Sequence, residues 1–317
     1  MDDLGILFAA KQVVDAARFV RINVPGVVAL AERLTLRTLP ALETELYFSD
    51  GTWRTANYCL AITCLDFCFW GEPKWSVVVK GKRYTGSFAM LAAVKQAMGW
   101  GAKWWDAQYL QSLTRDDLGQ ILRGDAVEIP LLQERLTNLH EAGRVLEQYD
   151  GRFTTMIEQA EGSAVRLIQR VAQEFPQFRD RAVYKGREVS FYKRAQLLCA
   201  NLQRVFAGKK WGAFQDVGQL AALADYKIPQ ILRHFGVLEY ATPLASQVDN
   251  KALLAPGSEE EVEIRASMIW VVELIRQFLA ARGVEKTAME IDYLLWYEKF
   301  HVRGAMKPHH RTRTIFY

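Results

Sequence analysis

Apolar residues recur along most of this chain at spacings of three and four, which is the period of an amphipathic helix. Within residues 4–20, Ile6, Ala10, Val13 and Ala17 fall on one helical face. The same spacing predicts ten helices, over residues 4–20, 24–39, 114–123, 131–148, 162–175, 190–206, 217–224, 229–235, 259–281 and 288–300.

Two local signals refine this pattern. Thr114 stands three residues before Asp117, which is the arrangement of a capping box at a helix start. Residues 75–86 instead form two β-rich arms around Lys80-Gly81, which predicts a β-hairpin.

Internal repeats, low-complexity tracts and long linkers are absent from the sequence. Half of the 317 residues are hydrophobic, which excludes disorder as the main state. We therefore expect a mainly α protein with a small β-hairpin, in one domain over residues 1–317. Two helical lobes with the active-site cleft between them are the alternative arrangement of that domain.

The net charge is +4, which is too small to indicate a nucleic-acid partner by itself. No stretch without charges approaches the ~20 residues of a membrane span. The acidic start Met1-Asp2-Asp3 does not fit a secretory signal, which needs a basic head and an unbroken apolar run. The sequence predicts a cytoplasmic protein without a membrane partner.

The four cysteines do not predict metal chemistry. Cys64 and Cys68 would lie one helical turn apart, with Cys59 nearby, but no histidine accompanies them. We interpret them as small buried residues. The sequence also lacks a glycine-rich phosphate loop and a His-Glu-x-x-His metal helix, so no cofactor or metal is expected.

Three acids stand alone in apolar surroundings. Asp66, Asp225 and Asp292 are each the one charge in a run of apolar and aromatic residues. Each is followed directly by an aromatic residue, namely Phe67, Tyr226 and Tyr293. For any single acid, a helix cap or a core hydrogen bond is the simpler interpretation, because a buried carboxylate must be paired or hydrogen-bonded.

Three acid–aromatic pairs together favour a binding site. Aromatic faces stack on a flat heterocycle, and a carboxylate accepts hydrogen bonds from ring N–H and amine groups. Those are the groups that a guanine-like base requires.

Asp225 is the most suggestive of the three acids. The predicted helix 217–224 must end before Pro229, because proline disfavours helical geometry in the preceding residue. Asp225 would then stand at the end of an apolar helix, in a tight corner. A carboxyl at such a position can have a raised pKa and serve as a general base.

Basic residues complement the acids. Lys193, Arg265, His310 and Arg311 are candidates to hold a phosphate. The basic tail ends on Ile315-Phe316-Tyr317, and this apolar terminus indicates that the tail docks rather than staying mobile.

The sequence resembles a known family, the queuosine salvage proteins, which are queuosine 5′-phosphate N-glycosylases (hydrolases). The matching stretches run in order over nearly the whole chain. They are residues 65–70 (LDFCFW), 81–86 (GKRYTG), 178–180 (FRD), 189–196 (VSFYKRAQ), 224–230 (ADYKIPQ), 261–265 (EVEIR), 292–296 (DYLLW) and 310–313 (HRTR).

This resemblance implies a helical fold related to helix-hairpin-helix DNA glycosylases. It also implies hydrolysis of the N-glycosidic bond of queuosine 5′-monophosphate, which releases queuine, a 7-deazaguanine derivative, for return to tRNA. The expected partner is this small molecule, with no direct nucleic-acid contact, and we expect a monomer.

Carried over by position, Asp225 matches the catalytic aspartate and Lys193 the lysine of the family's Phe-Tyr-Lys-Arg-Ala-Gln stretch. The chain departs from the family pattern at Asp66, where Asn is common, and at Tyr297, where Asp is common. The predicted substrate-binding residues are Asp66, Phe67, Phe191, Leu223, Tyr226, Asp292, Tyr293, Trp296, Tyr297, Arg265, His310 and Arg311.

Two other functions fit parts of the sequence. The basic tail and the nine tryptophans allow a non-catalytic, helical tRNA-binding protein, but the acids of residues 259–261 argue against a continuous basic face. A DNA-repair glycosylase ranks lowest, because the sequence lacks the Gly-x-Gly hairpin that grips DNA phosphates in those enzymes.

Overall fold

The computed structural model describes residues 2–40, 45–302 and 305–317, and helices dominate this part of the chain. The helices are α1 (Ile6–Ala16), α2 (Val24–Leu34), α3 (Trp53–Cys64), α4 (Ser87–Gly99), α5 (Ala107–Ser112), α6 (Arg115–Ile121), α7 (Leu132–Glu147), α8 (Phe153–Gln159), α9 (Ala164–Glu174), α10 (Lys193–Val205), α11 (Lys227–His234), α12 (Thr242–Asp249), α13 (Glu259–Ala280) and α14 (Ala288–Glu298). The mainly helical prediction is therefore confirmed.

Six short strands form three two-stranded antiparallel sheets within the described residues. The strands are β1 (Val20–Ile22), β2 (Ser76–Val79), β3 (Lys82–Thr85), β4 (Arg181–Tyr184), β5 (Arg187–Ser190) and β6 (Leu238–Tyr240). The predicted hairpin is confirmed, because β2 pairs with β3 in a register that places Val79 opposite Lys82. The β4–β5 hairpin and the β1–β6 pair were not predicted.

The chain divides into two compact units. Unit 1 takes the described residues of Met1–Pro40, Asp180–Gln196 and Asp216–Thr314. Unit 2 takes those of Ala41–Arg179, Leu197–Gln215 and Ile315–Tyr317.

Unit 1 is built around the long helix α13, which packs against α1, α2, α11 and α14. The predicted helix 259–281 is confirmed, and Ser258 caps it by accepting a hydrogen bond from the backbone of Glu261. Most of α13 is buried, including the polar residues Glu261, Glu263 and Arg265. These charged side chains inside the unit must be paired or hydrogen-bonded.

Unit 2 contains α3 to α9 and the β2–β3 hairpin, with α7 packed against α3, α5 and α6. The predicted helix 131–148 corresponds to α7, and the Thr114–Asp117 capping box forms at the start of α6. Tyr317 is buried, and its carbonyl accepts a hydrogen bond from the backbone N–H of Cys68. The prediction that the tail docks is confirmed.

The first predicted helix, 4–20, is too long. Helix α1 ends at Ala16, and the chain continues into strand β1. The reason is Glu263, whose carboxylate accepts hydrogen bonds from three successive backbone N–H groups, those of Arg18, Phe19 and Val20. These amides are therefore not available to continue the helix.

The predicted helix 217–224 is wrong. A single 3₁₀ turn spans Val217–Gln219, and residues 220–225 contain no helix. Side chains occupy the backbone groups that a helix would use. The Gln196 amide oxygen accepts from Ala221 N–H at 2.8 Å, and the Asp292 carboxylate accepts from Leu223 N–H at 2.9 Å.

The four cysteines are buried, as predicted, but the position of Cys68 relative to Cys64 differs from the prediction. Helix α3 ends at Cys64, and Cys68 lies beyond it with a φ of 43°, so the two are not one helical turn apart. Within the described residues, no group of three or more His, Cys, Asp or Glu side chains is placed to hold a metal ion. In the same part of the chain, no helix combines the length and apolar character of a membrane span.

Candidate active site

The non-helical segment 220–225 is the centre of the candidate site in unit 1. Its backbone is held by side chains from three other elements: Gln196 of α10, Asp292 of α14 and Arg265 of α13. Because these contacts fix the segment without regular secondary structure, its last residue, Asp225, is presented at the start of α11.

Asp225 caps helix α11. Its Oδ1 accepts hydrogen bonds from the backbone N–H groups of Lys227 and Ile228, at 2.8 and 2.9 Å. Those N–H groups have no partner within the helix, and the helix dipole favours a negative charge there. Among the described residues, no donor reaches Oδ2 of Asp225, and the side chain is half-buried. Oδ2 is therefore the oxygen that can act on a ligand.

Asp292 lies in the middle of α14 and is only 4% exposed. Its Oδ2 accepts from Leu223 N–H, and Oδ1 has no hydrogen-bond donor in the described part of the chain. An ionised, buried carboxylate with one oxygen that accepts no hydrogen bond costs free energy, unless the group keeps its proton or binds a ligand.

The two carboxyls are electrostatically coupled. Burial raises the pKa of Asp225 above its ordinary value, while the charge of Lys193 and the two backbone N–H groups act in the opposite direction. Burial, and next the negative charge of Asp225, hold the pKa of Asp292 well above its usual range. Lys193 lowers the pKa of both carboxyls, so its ammonium lies within electrostatic reach of the pair.

Lys193 is the first residue of α10 and is 6% exposed. Its backbone N–H donates to Oδ2 of Asp180 at 3.1 Å. The preceding residue, Tyr192, has a φ of 48°, in the left-handed region that a bulky side chain rarely adopts. The position of Lys193 thus depends on a strained backbone that Asp180 supports.

Aromatic side chains from two elements accompany the acids. Tyr226, directly after Asp225, lies with its ring 4.6 Å from the ring of His309. On α14, Trp296 follows Asp292 by one helical turn and contacts Tyr297, with ring centroids 5.1 Å apart. Tyr293 and Trp296 are half-buried. Their roles in binding remain predictions.

The basic candidates differ in their surroundings. Arg265 is 3% exposed and is hydrogen-bonded inside unit 1. His310 is also buried, and burial, with the charges of His309 and Arg265, holds its pKa well below the usual value, so it is neutral at pH 7. Arg311 is half-buried, and its carbonyl accepts from Leu254 N–H at 2.8 Å.

Three further predicted residues belong to unit 2 or to the core of unit 1. Asp66 and Phe67 belong to unit 2. The ring of Phe67 is covered on one side by the guanidinium of Arg135, whose Cζ is 4.2 Å from the ring centroid. Phe191, in unit 1, is fully buried beneath Arg265.

Sequence reasoning missed two residues that shape the site. Gln196 anchors residue 221, and Asp180 binds the backbone of Lys193. Both occur in stretches that carried the family resemblance, 178–180 and 189–196. The signal was present, but nothing in the local spacing indicated that these side chains bind backbone groups far along the chain.

Comparison with known proteins identifies the family. A family model described as "Queuosine salvage protein" matches residues 46–317. The chain is 46% identical over 319 residues to a Sphaerobacter thermophilus protein named queuosine 5′-phosphate N-glycosylase/hydrolase, covering 100% of this chain and 98% of the relative. Proteins of the same name from Bos taurus and Mus musculus are 36% and 38% identical, over 98% and 82% of this chain and 97% and 81% of those relatives.

Proposed function

Because the chain belongs to the queuosine salvage protein family, we propose that it hydrolyses the N-glycosidic bond of queuosine 5′-monophosphate and releases queuine. Relatives that match over nearly its full length carry the name of this activity. The observation that carries the proposal is that Asp292 binds the backbone two residues before Asp225, while the charge of Lys193 acts on both carboxyls. Most glycoside hydrolases use two carboxyl groups of unequal character.

Asp225 stabilises the charge that develops on the sugar. Breaking the bond between the ribose C1′ and the base nitrogen leaves positive charge on C1′ and on the ring oxygen. The ionised Oδ2 of Asp225 would lie beneath that carbon and orient the attacking water, which gives its hydroxyl to C1′ and one proton to the carboxylate. The bond electrons leave with the base, which takes up one proton from solvent, and Asp225 returns the proton from the attacking water to solvent, so that one water is consumed overall.

Asp292 is suited to the edge of the base. Its raised pKa favours the protonated form, which can donate a hydrogen bond as well as accept one. Queuine is a 7-deazaguanine, so the ring nitrogen that purines use for leaving-group protonation is missing. We assign Asp292 to a remaining polar edge of the departing base, or to the amine and diol hydrogens of the substituent that queuine carries.

Lys193 keeps Asp225 in its reactive form. The positive charge lowers the pKa of the Asp225 carboxyl and so opposes the effect of burial. More Asp225 is then ionised at neutral pH. The ammonium is a fixed positive charge for the anionic substrate as well.

The remaining contacts follow from chemical type. We assign Tyr226, Tyr293, Trp296 and Tyr297 to stacking with the base, because its ring system is flat. His310 and Arg311 are assigned to the phosphate, His310 as a neutral hydrogen-bond donor and Arg311 as the cation. Asp66 and Phe67 remain proposed substrate contacts.

The proposal also covers the protein's location, oligomeric state and fold relationship. The chain acts as a cytoplasmic monomer on a free nucleotide, without binding nucleic acid directly. Its helical body is related to the helix-hairpin-helix DNA glycosylases, a relation that superposition of an experimental structure on those enzymes would test.

The direct test is mass-spectrometric detection of free queuine after incubation with the monophosphate and, separately, with the nucleoside. We expect release from the monophosphate. A protein that instead bound tRNA with strong salt dependence and released no queuine would be a non-catalytic tRNA-binding protein, and the proposal would be wrong.

A further inference from the structure

A buried ion pair lies behind the two candidate catalytic residues. Arg265 Nη2 donates to Asp180 Oδ2 at 2.6 Å, and both side chains are almost fully buried in unit 1. Arg265 also contacts Glu261 Oε1 at 3.4 Å, and its Cζ lies 3.9 Å from the ring centroid of Phe191. Placing such a pair inside the protein costs desolvation free energy, so a structural or functional gain must offset it.

Each end of the pair contacts the backbone at a catalytic position. Asp180 Oδ2 accepts the backbone N–H of Lys193 at 3.1 Å. Arg265 Nε donates to the carbonyl of Ala224, the residue before Asp225, at 3.1 Å. One carboxylate oxygen therefore joins the start of α10 to Arg265, which holds the end of segment 220–225.

Asp180 also supports the strained backbone before Lys193. Its carbonyl accepts the N–H groups of Phe191 and Tyr192, at 2.9 and 3.3 Å. With the left-handed φ of Tyr192, these contacts determine where the chain turns into α10. Asp180 thus places the lysine through both its backbone and its side chain.

We propose that Arg265 and Asp180 are positioning residues that set the geometry between Lys193 and Asp225, and that Arg265 is not a ligand of the substrate phosphate. The proposal rests on the catalytic roles proposed above for Lys193 and Asp225. The polar contacts of Arg265 with Asp180, Ala224 and Glu261 lie inside the protein, and the side chain is only 3% exposed. The planar guanidinium suits this role because it donates in several fixed directions at once.

The consequence is a specific kinetic signature. If the pair is broken, Lys193 and Asp225 lose their fixed separation, and less of the lysine's charge reaches the carboxyl. The turnover number then falls, while KM changes little because the stacking and phosphate contacts belong to other residues. The acid limb of the pH–rate profile moves to higher pH, because Asp225 becomes harder to ionise.

The test uses Asp180→Asn and Arg265→Lys, assayed with queuosine 5′-monophosphate. For both variants we expect kcat to fall about 30-fold or more, since small misplacements of reacting groups are costly, with KM within about threefold. Lysine retains the charge but does not reproduce the guanidinium geometry. If Asp180→Asn does not fold, Arg265→Lys carries the same comparison. A higher KM with unchanged kcat would overturn the proposal.

A matched control distinguishes positioning from loss of stability. Glu263 lies on the same helix as Arg265 and is fully buried, but it binds the backbone of residues 18–20 and Tyr184 Oη. Glu263→Gln should lower stability as well, yet leave kcat and the pH profile unchanged. If Glu263→Gln lowers kcat as much as Asp180→Asn at a matched loss of stability, positioning is not the explanation.

Ribose 5-phosphate, a product of the proposed reaction, tests the phosphate role. If Arg265 acts only by positioning, competitive inhibition by ribose 5-phosphate should be unchanged in Arg265→Lys. Inhibition weakened about tenfold or more would make Arg265 a phosphate ligand and overturn the proposal.

A double variant separates this inference from the proposed function. In an Asp225→Asn background, Asp180→Asn should cause a much smaller further loss of kcat, because the group being positioned is already lost. A full additional loss would overturn positioning of Asp225 while leaving its catalytic role intact. Wild-type turnover by Asp225→Asn alone would instead contradict the catalytic role itself.

Discussion

Each unit of the protein contains a buried arginine beside a lone acid, and the two sites share two contacts of that arginine. In unit 1, Arg265 donates to the carbonyl of Ala224, the residue before Asp225. In unit 2, Arg135 donates to the carbonyl of Leu65, the residue before Asp66. Both guanidinium groups lie over a phenylalanine ring, at 3.9 Å from Phe191 and 4.2 Å from Phe67.

The two arginines differ in what else they bind. Arg135 gathers backbone carbonyls, with further hydrogen bonds to Pro130, Phe67 and Cys68, and so fixes a loop that contains the left-handed Cys68. Arg265 pairs with the carboxylate of Asp180, which binds the start of a helix.

The comparison shows what a lone acid followed by an aromatic residue indicates. At Asp66 and at Asp225 this pattern marks a loop whose backbone is held by a buried arginine, whereas Asp292 lies within helix α14. In unit 1 there is more, because the negative charge of Asp225 raises the pKa of Asp292 and the charge of Lys193 lowers the pKa of both carboxyls. Coupling between titratable groups, rather than an acid in apolar surroundings, identifies the candidate chemistry.

The largest expected effect is at Asp225. Asp225→Asn removes the negative charge but keeps the size and an oxygen that can cap α11, so we expect a folded protein that still binds substrate. Turnover should fall at least a hundredfold, about 3 kcal/mol of transition-state stabilisation. Single-turnover release of queuine measures this, with circular dichroism as the folding control. Turnover within tenfold of wild type would refute the role.

Arg135 should matter next, through stability. Arg135→Met removes the hydrogen bonds that the guanidinium donates to the carbonyls of Leu65, Phe67 and Cys68, and we expect the free energy of unfolding to fall by about 3 kcal/mol. Urea denaturation measures the loss. The surface variant Arg115→Met, which breaks an exposed ion pair with Glu128, is the matched control and should cost well under 1 kcal/mol. Equal losses in the two variants would contradict the loop-fixing role.

Lys193 should act on the pH profile. Because its charge lowers the pKa of Asp225, Lys193→Met should raise that pKa and move the acid limb of kcat/KM to higher pH. The shift is measured by comparing pH–rate profiles of the variant and the wild type. An acid limb that stays in place, or moves to lower pH, would show that Lys193 does not act on Asp225.

The smallest effect concerns the stability cost of Asp292. The folded-state pKa of this carboxyl is raised, so its stability contribution is present at acid pH and is lost as pH rises through the folded-state pKa. Asp292→Asn should therefore gain stability over wild type as pH rises from about 5 to 9, on the order of 1 kcal/mol. Urea denaturation at several pH values measures the trend.

Asp249 provides a control of opposite sign. A hydrogen bond from Arg233 is the main cause that lowers its pKa, so its contribution is present at neutral pH and is lost as pH falls. Asp249→Asn should lose stability at neutral pH, and this loss should shrink toward acid pH. If both variants followed the same trend, the assignment of the pKa shifts would be wrong.

Elements whose signals are local could be predicted from the sequence. The long helices α7 and α13 follow from their apolar period, and the Thr114 capping box and the β2–β3 hairpin follow from short local patterns. Residues 217–224 could not be predicted, since side chains of Gln196 and Asp292 replace the helical hydrogen bonds there. Such long-range contacts produce no periodic pattern in the amino-acid sequence.

The same reasoning applies to the candidate site. Asp225, Asp292 and Lys193 could be selected from the sequence, because charges in apolar runs and a family motif are visible in it. The Arg265–Asp180 pair could not be derived, since its partners are 85 positions apart. The sequence favoured Arg265 as a phosphate ligand because a basic residue near acidic and aromatic positions has that simpler explanation.

The most direct test of the central claim is a crystal structure of Asp225→Asn with queuosine 5′-monophosphate, since this variant should bind the substrate without cleaving it. We expect the base to contact Asp292 and the aromatic residues of α14, with the ribose C1′ within about 4 Å of the side chain at position 225. A substrate bound with its C1′ far from that side chain, or outside the group formed by Lys193 and Asp292, would contradict the account.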